Sequence, residues 1–444
     1  MKRKLLVISM PFRLGIGGFL RSHNVVPRLT RLLAESDYEL ELYIPANAIR
    51  TFVSFLMSTK LNDMPKGRED FIDELLALAI NEVYEIQRLS KYTFAINEKL
   101  LEENVEYNRQ ILLKESERKF SLSHMLYREE LRPFFIHFFE KGFVGMARRF
   151  VKNPSYAYSM HETADAITAL TFLSSKETKS AVLLQSDVGK KFIHRTFSLN
   201  LFKNLSKKTK LCGILSVSPA PIMETPELST LCKNLKILVP GVAVERELFR
   251  NVPRNKRANV VIYYGRISKE KGIFDLLRAW NIIEKKVDAY LYLAGRFEDY
   301  KTRVKFDETI KKYNLKAVKH LGYLDRNKLF KIASIASVLA YPSYRDAFPL
   351  TVLESLFMGL RAVAYEIPAL SFLYQQNPNV ELIPVGNFKR LALAIISNLG
   401  KPFKKDETTT KLLDKYSSWE KVAIEEYRKL NGMLNLSIDV LTNN

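Results

Sequence analysis

The sequence predicts an α/β chain made of two doubly wound, Rossmann-like domains. Three observations point there. The chain has 444 residues, too many for one ordinary core and suited to two domains. Its start runs strand, glycine-rich turn, helix, strand, which is a βαβ unit. The segments beginning at Val260 and Ile335 each run apolar strand, polar turn, helix.

In the first half, Leu5 to Met10 is a buried type of strand. A loop with Gly15, Gly17 and Gly18 follows, then a helix from about Phe19 to Ala34, then a strand from Tyr38 to Tyr43. The spacing Gly15-Ile16-Gly17-Gly18 is not GxGxxG, so it does not specify a dinucleotide. Glycines here let backbone approach a ligand, and a helix start favours an anion. A tight βα turn needs glycines for packing as well.

Residues from about 50 to 150 leave this regular pattern and read as a helical insert. Ile72 to Leu78 and Val83 to Leu89 are helical, and a long charged helix is expected from about Thr93 to Lys119. The stretch from Leu131 to Phe143, with Arg148-Arg149-Phe150 after it, mixes phenylalanines with flanking cations. That composition suits an element lying in lipid headgroups. It also suits a core helix, because Phe stands on every side and no clean polar face is visible.

Tyr156 to Met160 resumes the sheet. His161-Glu162-Thr163-Ala164-Asp165, a helix from Ala166 to Ser174 and a strand from Ala181 to Leu184 follow, ending in Gln185-Ser186-Asp187. Polar residues at the C-terminal ends of strands are well placed for a site, so His161 and Asp187 are candidates, with His23 in the first helix as a third local candidate. Each also suits a helix cap. Leu215 to Ser218 and Leu235 to Val239 close the first domain, set at residues 1–250. Asn251 to Asn259 is polar and basic and suits a linker.

The second half is richer in chemistry. Gly265-Arg266-Ile267-Ser268-Lys269-Glu270-Lys271-Gly272 follows the apolar run Val260 to Tyr264 and reads as a strand-to-helix turn. Arg266 and Lys271 can hold a diphosphate. After the run Ile335 to Tyr341 comes a turn at Pro342-Ser343, then Asp346-Ala347-Phe348-Pro349-Leu350-Thr351-Val352-Leu353-Glu354. Phe348, Leu350 and Thr351 open a helix whose N–H groups can face phosphate, while Pro349 lacks one. Two carboxylates beside such a diphosphate can accept hydrogen bonds from sugar hydroxyls. The combination describes a pocket for a nucleotide-activated sugar.

These residues resemble a known family. Gly-Arg-x-x-x-x-Lys-Gly, then His320-Leu321-Gly322-Tyr323, then the acid-x7-Glu block are similar to the donor domain of GT-B retaining glycosyltransferases of family 4, the glycosyl transferases group 1. The match extends through Trp419, over roughly the C-terminal 180 residues. The resemblance implies two Rossmann-like domains with a site in the cleft between them. It implies a donor domain at 251–414 and a crossover helix at 415–435 that packs on the first domain. It also implies transfer of a sugar to an acceptor hydroxyl, with a nucleotide diphosphate sugar as co-substrate and no other cofactor or tightly held metal. In its terms Arg266 and Lys271 grip the diphosphate, Glu354 meets the ribose and Asp346 meets the sugar. Gly17 and Gly18 line the loop facing acceptor and phosphates, and His320 is a strand-end residue near the base. Two departures stand out. The family's histidine at the end of the 181–184 strand is replaced by Ser186 or Gln185. Asp346 is one methylene shorter than the family's Glu. The first departure keeps open a catalytically inactive homologue, a basic subunit that binds a membrane or a partner.

Composition limits the alternatives. Two cysteines, Cys212 and Cys232, form no CxxC or Cys/His cluster, so a reducing cytosol is expected. The apolar run after Met1 is too short for a signal peptide and is broken at Pro11, and no apolar run is long enough to span a bilayer. Formal net charge is +21. It suits a Lys-rich solvated surface or an anionic membrane with a lipid-linked glycan or glycolipid acceptor. No nucleic-acid motif accompanies it. A glycoside hydrolase needs acids about 5–9.5 Å apart around one bond. Eight residues of continuous helix would separate Asp346 and Glu354 by about 12 Å, and diphosphate-binding cations have no part in hydrolysis.

Overall fold

The computed structural model describes residues 3–12, 17–36, 38–59, 68–89, 95–117, 132–151, 153–186, 189, 192–250, 252 and 259–436. The chain divides into two compact units, Met1–Gly241 with Val422–Asn444, and Val242–Lys421.

The first unit holds strands β1 (Arg3–Ile8), β2 (Tyr38–Tyr43), β3 (Ala95–Ile96), β4 (Tyr156–Ser159), β5 (Lys179–Leu184), β6 (Lys210–Ser216) and β7 (Leu235–Ile237). They form a parallel sheet in the order β3-β2-β1-β4-β5-β6-β7. Its helices are α1 (Gly17–Ala34), α2 (Ala46–Thr59), α3 (Arg68–Leu89), α4 (Glu98–Glu117), α5 (Arg132–Ala147), α6 (Ala164–Leu173), α7 (Phe192–Lys208), α8 (Pro219–Met223) and α9 (Leu228–Leu231). β1 is apolar from Leu5 to Ile8 because a parallel strand is covered on both faces.

The second unit holds β8 (Val260–Tyr264), β9 (Tyr290–Ala294), β10 (Val318–His320), β11 (Val338–Tyr341), β12 (Arg361–Tyr365) and β13 (Val380–Ile383). All pair in parallel, in the order β10-β9-β8-β11-β12-β13. Helices α10 (Ile273–Ile283), α11 (Tyr300–Tyr313), α12 (Arg326–Ala333), α13 (Leu350–Phe357), α14 (Pro368–Tyr374), α15 (Phe388–Asn398) and α16 (Glu407–Lys415) surround the sheet. Strand alternation sorts the core. Val260, Ile262, Tyr264, Leu339 and Tyr341 pack with α13 on one face. Val261, Tyr263, Val338 and Ala340 pack with α10 on the other.

Both sheets reverse direction of growth between their first and fourth strands, β1/β4 and β8/β11. Open α/β sheets bind ligands in the crevice outside the carboxyl ends of their strands at this switch point. A last helix, α17 (Trp419–Leu434), starts in the second unit and continues in the first. Its Glu426 carboxylate accepts a bond from the Tyr158 hydroxyl of β4 at 2.7 Å.

Three local expectations need revision. The helix expected from Thr93 begins at Glu98 instead. Ala95 and Ile96 pair with β2, and the Asn97 side chain accepts from Leu100 N–H at 3.1 Å, starting the helix. The linker from Asn251 to Asn259 lies mostly outside the described residues. Val252 already packs against the second core, and the unit boundary falls earlier, at Gly241/Val242. The Phe-rich helix α5 has an unexpected polarity: Glu140 is fully buried, while Phe134 and Phe138 are exposed. The Glu140 carboxylate accepts from the Tyr43 hydroxyl at 2.7 Å and the Ala46 N–H at 2.8 Å. Burial raises its pKa to about 8. Among the described residues no helix is long and apolar enough to cross a membrane.

Candidate active site

At the switch point of the second unit, two loops are sewn together. The first leaves β8 at Gly265, and its Ile267 N–H donates to Arg296 O at 2.8 Å while Glu298 N–H donates to Ile267 O at 3.0 Å. The Ser268 hydroxyl, wholly buried, accepts from Lys271 N–H at 3.2 Å and tightens the turn. Gly272 then caps α10 with φ +74°. A Cβ at Gly272 would collide with the Pro342 carbonyl oxygen, so only glycine allows the two loops to touch here.

That contact brings Lys271 and Asp346 together across 75 positions of sequence. Lys271 Nζ donates to Asp346 Oδ2 at 2.6 Å and to Arg345 O at 3.3 Å. Tyr341 O–H also donates to Asp346, and burial with that neighbouring carboxylate raises the phenol's pKa well above its ordinary value. The sequence assigns Lys271 to phosphate and Asp346 to the sugar. In the structure they are one ion pair, about four-fifths shielded on both sides. Asp346 does a third job. Its Oδ1 accepts from Phe348 N–H at 3.2 Å, and Leu350 N–H donates to Phe348 O at 2.9 Å. Two amides assigned to phosphate are therefore engaged within the loop, and the helix proper starts only at Leu350. The Thr351 carbonyl oxygen accepts from Tyr264 O–H at 2.9 Å, fixing α13 to β8.

Arg266 sits on the outer side of this turn. Its side chain is about half exposed and lies 3.2 Å from the Glu298 carboxylate. Glu354 is buried one turn into α13 and accepts from Arg326 Nη2 at 2.5 Å. Burial pushes the Glu354 carboxyl up from its ordinary range, while Arg326 and then Tyr264 pull it down. Sequence reasoning missed Arg326, although a signal existed. It is the first residue of α12, after the Asp325 cap, where the helix dipole favours acids. A cation in that position has to serve something else, and here it serves Glu354. His320 ends β10 and bonds Gly295 O at 3.0 Å, edge-on to Phe297. This strap joins β10 to the β9 exit.

Asp275 is a second residue the sequence did not single out. It is buried in the first turn of α10 and accepts from Tyr365 O–H at 2.7 Å, from Tyr344 O–H and from Arg278. Tyr344 N–H also donates to Glu270 O at 3.0 Å. Asp275 thereby holds the stretch that carries Arg345 and Asp346 against the rigid sheet.

The first unit's switch point is built differently. Gly17 and Gly18 form the first turn of α1, while Gly15 and Asp187 lie outside the described residues. His161 follows β4, and its Nε2 lies 2.9 Å from Ser22 Oγ of α1, bridging the two sides. Burial and Arg21 lower its pKa to about 3, so the ring is neutral and accepts from Met10 N–H at 3.4 Å. His23 is buried and bonds Pro11 O at 3.3 Å. Both histidines have protein partners. Gln185 and Ser186 converge on Glu162, whose Oε2 accepts Gln185 N–H at 2.8 Å and whose Oε1 accepts the Ser186 hydroxyl. Glu162 therefore anchors the stretch where the resemblance expects a histidine.

Comparison with known proteins bears on the fold and on the segment that carries these residues. Residues 244–412 match the family model described as glycosyl transferases group 1. An uncharacterized glycosyltransferase YqgM of Bacillus subtilis (strain 168) is 29% identical over 128 residues, 28% of this chain and 35% of that protein. The matched part thus spans about a third of that relative's own length. A glycosyltransferase structure from Rickettsia africae ESF-5 superposes with a TM-score of 0.58, at 13% identity, over 98% of this chain and 100% of the other. The Anabaena Alr3699/HepE structure in complex with UDP-glucose gives 0.56, at 14% identity, over 97% and 98%. The match to the family model covers less than half of the chain, and the fold is that of the GT-B glycosyltransferases.

Proposed function

We propose that this chain is a glycosyltransferase that moves a sugar from a nucleoside diphosphate sugar to an acceptor hydroxyl, with retention at the anomeric carbon. One observation carries the proposal. A shielded Lys271–Asp346 pair lies at the switch point, with the buried Glu354 eight residues on, inside a glycosyl transferases group 1 segment. The complex of Alr3699/HepE with UDP-glucose supports this class of donor.

In the reaction, a new bond forms between the anomeric carbon and the acceptor oxygen. The bond from that carbon to the β-phosphate oxygen breaks, and its electron pair stays on the diphosphate. The acceptor proton is released. Charge grows on the leaving diphosphate, so a cation fixed there stabilises the transition state more than the ground state. Lys271 is held at the loop junction before any substrate arrives, which removes part of the ordering cost. Arg266 acts from the outer side. Asp346 orients the sugar hydroxyls and Glu354 the ribose hydroxyls. Gly17 and Gly18 contribute backbone on the acceptor side. The acceptor is a glycan or glycolipid, met at an anionic membrane surface that suits a chain of charge +21.

Binding of UDP and GDP, followed by calorimetry, and a donor-hydrolysis screen across UDP- and GDP-sugars test this function. Saturable binding of one diphosphate and turnover of one donor class are expected. A folded chain that binds neither nucleotide points instead to an inactive basic subunit.

The acids separate by their kinetic signatures. Glu354→Gln should weaken nucleotide binding, because ribose contacts act alike in ground and transition states. Asp346→Asn should mainly lower turnover, because sugar contacts strengthen as charge develops. If Asp346→Asn changed nucleotide affinity alone, the two placements would be exchanged.

A further inference from the structure

We propose that the face formed by α5, α6 and α7 is a docking surface for an anionic lipid bilayer. The proposal gives a location to the membrane partner named above and rests on that part of it. It does not depend on catalysis.

The first observation is a continuous aromatic strip. Phe134 and Phe138 of α5 lie with ring centroids 4.7 Å apart, and Phe134 lies 5.5 Å from Phe197 of α7. His137 joins them, 5.6 Å from Phe197 and 6.4 Å from Phe172 of α6. Phe134 is 43% exposed, Phe138 56% and Ile193, one turn before Phe197, 53%. Large apolar side chains gathered at one surface mark an interaction site more strongly than the same side chains scattered singly. α5 tolerates this exposure because its one acid, Glu140, points inward to Tyr43 and Ala46.

The second observation is charge. Across α5, α6 and α7 the acids are Glu140 and Asp165, and both are buried. Cations are plentiful. Lys141 and Arg148 lie 5.7 and 5.5 Å from the Phe172 ring, at one end of the strip. Arg132 begins α5, and Lys203, Lys207 and Lys208 occupy the far end of α7. These helices present cations and aromatic rings to solvent and no acid.

This pairing selects the occupant. A second copy would bring the same cations onto the same face, in a chain of net charge +21. An anionic bilayer satisfies both halves at once. Its headgroups take the cations, and rings enter the interface beneath them. Among the described residues no helix spans a bilayer, so the attachment is peripheral and sensitive to salt.

The test uses flotation of the full chain with vesicles of phosphatidylcholine alone and with added phosphatidylglycerol. Binding to the anionic vesicles, little to the neutral ones, and loss at high salt are expected. Phe134→Ser with Phe138→Ser should lower the partition coefficient about tenfold or more while leaving UDP or GDP affinity and melting temperature unchanged. Lys141→Glu with Arg148→Glu should do the same; both positions are exposed, and the bond lost, from Arg148 to the Phe172 carbonyl oxygen at 2.8 Å, is checked by the melting temperature. If the Phe variant fails to fold, the charge variant decides. Three results overturn the proposal: a folded wild type that ignores anionic vesicles at low salt, unchanged binding in the charge variant, or concentration-dependent dimerisation abolished by the Phe changes. Nucleotide binding is read in the same samples. Its loss would sink the transferase function while leaving the surface intact.

Discussion

Lys271→Ala lowers turnover by about 10²-fold or more, the usual loss when one preorganised contact to developing charge is removed. The ammonium is fixed by Asp346 at 2.6 Å and by the Arg345 carbonyl at 3.3 Å. In the proposed function it is therefore in position before the diphosphate begins to leave. Removing it also leaves Asp346 with a hydroxyl donor, Tyr341, in place of a cation, so that carboxylate becomes an uncompensated charge at the loop junction. Both effects raise the barrier. Arg266→Ala acts in the same direction and to a similar extent. Its guanidinium is half exposed, 3.2 Å from the Glu298 carboxylate, and in the proposed function it meets the diphosphate from that side. Initial rates on whichever nucleotide sugar the screen selects measure both variants, with the melting temperature as a control for folding. The exposed Arg266–Glu298 pair is worth about 1 kcal/mol or less to stability, whereas removing Lys271 from a shielded pair costs up to about 3–5 kcal/mol, so the melting temperature separates a folding loss from a catalytic one. Rates near wild type in both variants would remove the donor-site assignment.

Much of the second unit was legible because its strands are buried on both faces. Val260 to Tyr264 and Ile335 to Tyr341 stand out as apolar runs, and each is followed by a turn rich in chemistry. The two turns meet because β8 and β11 are neighbours in the sheet, and that adjacency follows from the doubly wound order. The Lys271–Asp346 pair itself was not legible. Each residue had a separate substrate contact assigned to it, and side-chain direction at a loop tip is not encoded in spacing. Arg326 was legible in principle, as a cation at a helix start. Asp275 was not, since an acid in the first turn of α10 has a sufficient reason to be there in the helix dipole alone. The Phe-rich helix misled periodicity for a definite reason. Glu140 is the residue that should mark the solvent side, and it is buried to cap the start of α2. Phe134 and Phe138 occupy the solvent side instead. With the acid inside and the rings outside, the 3.6-residue rhythm of polar and apolar positions cancels, and no face can be picked out. In the first unit, His161 drew attention at a strand end and His23 in the helix beside it; both are buried, His161 against Ser22 and His23 against the Pro11 carbonyl oxygen. Glu162 escaped notice for want of a recognisable partner, because Gln185 and Ser186 reach it only once β4 and β5 pair.

Glu426→Ala should cost the first unit about 3–5 kcal/mol, the penalty of stranding a buried charge by deleting its partner. Arg21 and Glu426 are 1% and 0% exposed. Arg21 keeps the Gly241 carbonyl oxygen at 2.8 Å when the carboxylate is gone, but a carbonyl carries no compensating charge. Tyr158 also loses the acceptor at 2.7 Å, on the central strand β4. Water cannot enter so closed a site without opening the packing of α17. Glu426→Gln should be milder. Its amide oxygen still accepts one bond, though the charge opposite Arg21 is lost. The location of the effect is as diagnostic as its size. Both tryptophans, Trp280 and Trp419, belong to the second unit, so their fluorescence follows that unit. Amide exchange in β1 and β4 follows the first. Faster exchange in those strands of Glu426→Ala is therefore expected, together with an earlier loss of far-ultraviolet dichroism. Protection of β1 and β4 equal to wild type would mean that the Arg21–Glu426–Tyr158 network is not what fastens the last helix to the first sheet.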